Sequence, residues 1–98
     1  MAYEVKLLKR AIEDIDGICQ YLSQFYPGTS GRFLDDLERA IEGLAQNPYM
    51  YVEYENNKTY RRMIVNDYLV FYKTFKTGKT IRIYRVLHGK RNIEAFLK

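Results

Sequence analysis

The alternation of apolar and polar residues predicts a strand followed by two helices. Tyr3-Glu-Val-Lys-Leu7 alternates apolar with charged residues, which is typical of a half-buried strand. From Leu8 onward the apolar residues recur at helical intervals and draw one stripe; they are Leu8, Ile12, Ile15, Cys19 and Leu22. A second stripe extends from Phe33 to Leu44. The first half of the chain therefore contains a strand and two amphipathic helices.

Short breaks separate these helices. Pro27-Gly28 ends the first helix, Thr29 or Ser30 is expected to cap the second, and Asn47-Pro48 ends it. A connection this short predicts an antiparallel helical hairpin.

The second half of the chain predicts three strands and a short terminal helix. The strands are residues 60–65, 68–75 and 80–87, and Asn66-Asp67 and residues 76–79 form the turns between them. The polar, tyrosine-rich residues 49–59 precede them as a loop, and Ile93, Phe96 and Leu97 close a short helix over the sheet. The expected fold is α+β, with an antiparallel three-stranded meander and the helices on one face, in a single domain spanning residues 1–98.

Charge separates the same two halves. Residues 1–57 contain five basic and ten acidic residues, a net charge of −5, and residues 58–98 contain eleven basic and two acidic residues, a net charge of +9. A small domain with positive charge gathered at one end is suited to a polyanion.

Composition excludes several classes of protein. The chain has one cysteine, so it cannot form an internal disulfide, and its first residues lack the pattern of a signal peptide. No apolar run is long enough to span a membrane. One histidine and one cysteine do not make a usual zinc site, and we expect no metal or other cofactor. These features predict a cytoplasmic protein.

The basic residues of the last strands form a candidate RNA-binding surface. Because alternate residues of a strand share a face, Arg82, Tyr84 and Val86 are expected outside, opposite Ile81, Ile83 and Arg85. Arg61 and Arg62 point in opposite directions, so only one joins the outer surface. Basic residues interleaved with tyrosines suit single-stranded RNA, although a merely solvated sheet face has the same pattern. The candidate RNA-binding residues are Arg61, Arg82, Arg85 and Lys90.

The only histidine follows the last predicted strand. His88 stands beside Gly89-Lys90-Arg91, and a histidine next to cations can transfer a proton while an arginine stabilises a phosphate. The alternative is that His88 only binds the backbone at a strand end. Asp67 could orient a base or a water molecule, or it could simply form the turn with Asn66.

The order of elements and two segments resemble the RelE/ParE superfamily of bacterial toxins. The segments are Arg62-Met-Ile-Val-Asn-Asp-Tyr68-Leu-Val-Phe-Tyr72 and Ile83-Tyr-Arg-Val-Leu-His88-Gly-Lys-Arg91. The resemblance implies a toxin of a type II toxin–antitoxin module, of the kind associated with plasmid stabilization. RelE-like members cut messenger RNA on the ribosome without a metal, whereas ParE-like members block DNA gyrase and are not known as nucleases.

The resemblance also implies roles for individual residues. Arg91 corresponds to an arginine that contacts the scissile phosphate, and His88 and Asp67 resemble positions of a histidine-dependent nuclease branch. Leu69 stands where RelE-type members have a catalytic arginine after the strand tyrosine. Phe96 and Leu97 occupy the region of a RelE-type tyrosine in the terminal helix.

Taken with the basic residues and His88, the resemblance implies a metal-independent, ribosome-dependent endoribonuclease. His88 would be the general acid or base, Arg62 and Arg91 would stabilise the phosphate, and Asp67 would assist. The expected partners are a small acidic antitoxin, the ribosome and messenger RNA. The alternatives are a non-enzymatic inhibitor of DNA gyrase and a non-toxic binding derivative of the fold.

Overall fold

The computed structural model describes residues 2–97 and has the predicted order of elements. These are β1 (Glu4–Leu7), α1 (Lys9–Leu22), α2 (Thr29–Gln46), β2 (Arg61–Val65), β3 (Tyr68–Phe75), β4 (Thr80–His88) and a 3₁₀ turn (Ile93–Ala95). The predicted strand, helical hairpin, meander and short terminal helix are therefore confirmed.

The four strands form one mixed sheet in the order β1-β4-β3-β2. β2, β3 and β4 are antiparallel neighbours, as predicted, and β1 pairs in parallel with β4. β4 is paired with β1 only as far as Ile83, which lies opposite Leu7. The second half of β4 therefore has one edge that no strand covers.

The connection between the helices depends on a glycine. Gly28 precedes the first turn of α2 with φ of 84°, a left-handed conformation that glycine adopts without steric penalty. The hydroxyl of Thr29 donates a hydrogen bond backward to the carbonyl of Tyr26 at 2.8 Å. The expectation that Thr29 or Ser30 caps α2 is wrong, because Gly28 occupies the N-cap position and no side chain caps the helix.

Each face of the sheet has a hydrophobic core. The helix-side core joins apolar residues of α1 and α2 to the sheet, among them Phe33, Leu37, Met63, Tyr72, Ile81 and Ile83. The opposite face, called here the outer face, is covered by residues from the 49–60 loop and the C-terminal segment, namely Tyr54, Tyr60, Ile93 and Leu97, which pack on Phe71 and Leu87. The C-terminal segment thus closes over the sheet, as predicted.

A β-bulge divides β4. Phe71 pairs with Arg85 and Tyr72 pairs with Ile83, so Tyr84 is the additional residue. Beyond the bulge the alternation of faces is reversed, and Val86 is buried in the helix-side core. The expectation that Val86 shares the outer face with Arg82 and Tyr84 is therefore wrong. The alternation rule assumes an uninterrupted ladder, and the bulge interrupts it.

Candidate functional site

A groove lies between α1 and the second half of β4. Its volume is about 570 Å³, and it is lined by Glu13, Asp14, Gly17, Ile18, Tyr21, Tyr68, Val86, Leu87, His88, Lys90 and Arg91. Acidic residues come from the helix and basic residues from the end of the strand. Two of the four predicted catalytic residues line this groove.

The imidazole of His88 is held by two contacts. Its ring meets the ring of Tyr68 edge to face, with 5.4 Å between centroids. The backbone N–H of Lys90 donates a hydrogen bond to Nδ1 at 3.1 Å. Because Nδ1 accepts, the proton of the neutral ring lies on Nε2, which is the atom left to exchange a proton with a ligand.

Arg91 follows His88 by three residues and lines the same groove. Its backbone N–H donates to the carbonyl of His88 at 3.0 Å, which closes a tight turn after β4. Its guanidinium stacks on the ring of Phe96, 4.9 Å from the centroid. The groove therefore combines a histidine with a cation that an aromatic ring supports, and this combination can bind an anion.

Arg85 does not belong to an RNA-binding surface. Its Nε and Nη2 donate to the two carboxylate oxygens of Asp14 at 2.8 and 2.9 Å, and Nη1 donates to the carbonyl of Phe96 at 3.1 Å. These hydrogen bonds with Asp14 raise the pKa of Arg85. Only 9% of the residue is exposed, so its donors are occupied inside the protein. The prediction for Arg85 is corrected for this reason.

Asp14 takes the place of a neighbouring strand at this part of β4. Its carboxylate also accepts a hydrogen bond from the backbone N–H of Val86 at 3.0 Å, beyond the point where β1 ends. An unpaired backbone donor at a buried edge would be unfavourable, and Asp14 satisfies it. Asp14 is 71 residues from Arg85 in sequence, and no local pattern indicates the pair.

Arg62 and His88 lie on opposite faces of the sheet. Residues directly opposite on neighbouring strands point to the same face. His88 pairs with Tyr68, which belongs to the helix-side core, whereas Arg62 pairs with Phe71, which belongs to the outer face. The structure therefore does not bring these two predicted catalytic residues together.

The backbone of Asp67 contacts the residue that follows His88. Its carbonyl accepts a hydrogen bond from the N–H of Gly89 at 3.0 Å, so the β2–β3 turn and the end of β4 are tied together. Asn66 has φ of 55°, as expected of a turn. The structure supports the turn-forming role of Asp67.

The remaining predicted RNA-binding residues lie on different surfaces. Arg61 donates to the carbonyl of Tyr51 at 2.6 Å and stacks on the ring of Tyr49, so it ties the 49–60 loop to β2. Arg82 is exposed on the outer face and stacks on Phe75, 4.7 Å from the ring centroid. Lys90 is exposed at the groove. These three residues do not form one contact surface.

The described residues offer no metal site or membrane span. Within residues 2–97, no group of three or more histidine, cysteine, aspartate or glutamate side chains could hold a metal ion. No helix in the same range is both long and apolar enough to cross a membrane. Cys19 is half-buried against the helix-side core, and burial raises the pKa of its thiol, which makes it a poor nucleophile.

Solved structures with the same fold are toxins and toxin–antitoxin complexes. The chromosomal ParDE toxin–antitoxin system from P. aeruginosa matches with a TM-score of 0.72 and 18% identity, over 89% of this chain and 96% of that chain. The RelBE2 complex from Mycobacterium tuberculosis matches with a TM-score of 0.62 and 19% identity, over 90% and 99%. The isolated E. coli RelE toxin matches with a TM-score of 0.62 and 10% identity, over 97% and 94%. At these identities the likeness shows the fold.

The family is shown by the sequence match. No protein with a curated description matches the chain. The model of the ParE toxin of the type II toxin–antitoxin system parDE matches residues 5–93, which is most of the sequence. The chain therefore belongs to the ParE toxin family of type II toxin–antitoxin systems.

Proposed function

We propose that this protein is a toxin that inhibits DNA gyrase by binding to it, and that it does not cut messenger RNA. The observation that carries the proposal is the separation of Arg62 and His88 onto opposite faces of the sheet. RNA cleavage without a metal requires the proton-transfer group and the phosphate-stabilising groups to converge on one phosphate. Membership of the ParE family and Leu69 in place of a catalytic arginine support the same conclusion.

Inhibition by binding needs a complementary surface and no acid–base set. The groove between α1 and β4 has aromatic walls from Tyr21 and Tyr68 and charged rims from Glu13 and Arg91. Aromatic and arginine side chains are enriched among the residues that dominate protein interfaces. This groove is the surface that we assign to gyrase.

A paired assay tests this proposal. Purified protein is added to a gyrase supercoiling reaction and, separately, to ribosomes translating a defined message. We expect loss of supercoiling and intact transcripts. Cleaved transcripts together with unaffected supercoiling would overturn the proposal.

The second candidate is the metal-independent endoribonuclease. The observation in its favour is the free Nε2 of His88 beside Arg91 in one groove. If His88 transfers a proton, His88→Ala should reduce RNA cleavage by about 10²–10⁴-fold in the presence of a chelator. Arg32→Gln on the exposed surface of α2, which removes a cation away from the groove, is the control and should leave cleavage unchanged.

We also propose that a small acidic antitoxin neutralises this protein. Several solved structures with this fold are toxin–antitoxin complexes. An acidic segment that folds on binding would complement the net charge of +9 in residues 58–98. Co-expression with the neighbouring small gene product should rescue growth, and the two proteins should co-purify. Growth inhibition that persists despite a folded, expressed neighbour would refute this pairing.

A further inference from the structure

Three cations lie side by side on the outer face of the sheet. Lys6 of β1 pairs with Arg82 of β4, and Arg82 pairs with Lys73 of β3. Their sequence neighbours Val5, Ile81 and Tyr72 belong to the helix-side core, so the three side chains point to the opposite face. Neighbouring strands are about 4.8 Å apart, so this cation row spans about 10 Å across three strands.

The cation row does not stabilise the fold through ion pairs. Like charges directly opposite each other on neighbouring strands repel. Within residues 2–97, Arg82 and Lys73 form no salt bridge, and Lys6 has only an exposed contact with Glu4 at 3.5 Å. The row therefore keeps an excess of positive charge that the described part of the protein does not neutralise.

Aromatic rings hold two of these cations in place. The Nζ of Lys73 lies 4.7 Å from the ring centroid of Tyr60 and 4.9 Å from that of Tyr84. The guanidinium of Arg82 lies 4.7 Å from the ring centroid of Phe75. Side chains that are already supported lose less conformational freedom when they bind a ligand. The cation row is thus preorganised to bind an anion.

We propose that the cation row formed by Lys6, Arg82 and Lys73 binds the sugar–phosphate backbone of a nucleic-acid strand. Phosphates along a strand form a linear series of charges that matches a linear series of cations. Tyr60 is buried, Tyr84 is half-buried, and both rings already contact Lys73, so backbone contacts predominate over base stacking. Binding at this row is independent of nucleotide sequence.

An acidic peptide is the competing ligand class, and the row fits it less well. The cores of protein interfaces are depleted of charged residues and contain apolar anchors. Nucleic-acid interfaces are more polar and much more positively charged. The row has three adjacent cations, and its aromatic rings lie against the cations, which matches the second description.

Fluorescence anisotropy with labelled 12-nucleotide strands tests the proposal. Single-stranded DNA, single-stranded RNA, duplex DNA and a glutamate peptide of equal charge are compared. Three phosphate contacts predict a log–log salt slope of about −2.1 for single strands, or about 20-fold weaker binding at 200 mM than at 50 mM salt. No gyrase or ribosome is present, so the result is independent of the proposed function.

Variants locate the binding on the row. Arg82→Gln and Lys6→Gln should each reduce the salt slope by about 0.7, whereas Arg32→Gln on α2 removes the same charge and should leave the slope unchanged. Glu4→Gln should tighten binding, because it frees Lys6 from its exposed partner. Circular dichroism and thermal unfolding verify that each variant is folded.

Three results would overturn the proposal. One is the absence of nucleic-acid binding at 50 mM salt. Another is an equal loss of binding in Arg32→Gln and Arg82→Gln, which would indicate net charge alone. The third is equal affinity for the glutamate peptide, which would assign the row to an acidic polypeptide.

Discussion

The two halves of β4 contain the same type of residue in opposite situations. In the first half, Arg82 is exposed on the outer face and stacks on Phe75. In the second half, Arg85 is buried and holds Asp14 and the carbonyl of Phe96. The two arginines are separated by the bulge at Tyr84. Their difference shows that residue type and spacing do not establish whether an arginine is available to a ligand.

Arg82 and Arg85 differ because different groups cover the edge of β4 beside them. The first half of β4 is paired along its edge by the backbone of β1, which ends at Leu7. Beyond that point Asp14 of α1 reaches the edge, accepts from the N–H of Val86 and attracts Arg85. The first half can therefore present a cation to solvent, whereas the second half uses one to fix α1 and the C-terminal segment.

Removal of the Asp14 side chain should have the largest effect on stability, and it affects only the second half of β4. Asp14→Ala leaves the buried guanidinium of Arg85 without its partner, and we expect the free energy of unfolding to decrease by about 3–5 kcal/mol. Urea denaturation measures the change. Asp36→Ala is the matched control, because its pair with Arg39 is largely exposed, and it should reduce stability by about 0.5 kcal/mol or less. Similar losses in the two variants would contradict the structural role of Asp14.

Deprotonation of Tyr72, which lies beside the bulge, should reduce the stability of the protein at alkaline pH. Tyr72 lies opposite Ile83, and burial raises its pKa from 10.0 to about 12. The folded protein therefore holds this proton more tightly than the unfolded chain, and the resulting stabilisation is present below pH 10 and lost by about pH 12. Between pH 9 and pH 11 the contribution should decrease by about 1 kcal/mol, and Tyr72→Phe should remove this decrease.

Urea denaturation of both proteins at pH 9 and pH 11 gives this difference. Tyr26→Phe removes an exposed phenol and should retain the decrease seen in the unmodified protein. If Tyr72→Phe loses as much stability as the parent between these pH values, the titration of Tyr72 does not contribute.

Removal of Arg82 should have the smallest effect on stability. Arg82→Gln loses a stacking contact with Phe75 but relieves repulsion with Lys6 and Lys73, so the two changes oppose each other. We expect the free energy of unfolding to remain within about 0.5 kcal/mol of the unmodified protein. A loss as large as that of Asp14→Ala would show that the two halves of β4 do not differ in the way described.

Much of the fold follows from local patterns. The spacing of apolar residues located both helices, and the turn residues Asn66-Asp67 separated β2 from β3 at the positions observed. The meander followed from three strands with short turns. The N-cap of α2 was mispredicted, because Gly28 replaces side-chain capping with a backbone conformation.

The candidate site was predicted only in part. His88 is the only histidine of the chain and stands beside cations, and Arg91 takes its predicted role from the family resemblance. Both line the groove. Arg62 was predicted to act with them, but it lies on the other face of the sheet. The separation of two residues in the sequence does not show whether they share a face of the folded sheet. Lys6 and Lys73 were missed, since the first belongs to an acidic half of the chain and the second to an apolar strand.

The sequence by itself determined the elements, their order, the family resemblance and the gathering of positive charge in residues 58–98. These depend on periodicity, turn residues and composition, which are local quantities. Only the tertiary structure decided which cations face solvent. The bulge in β4 reversed the faces after Tyr84, and the early end of β1 let Asp14 bind Arg85. Both are consequences of pairing between residues far apart in the chain, for which the local sequence has no signal.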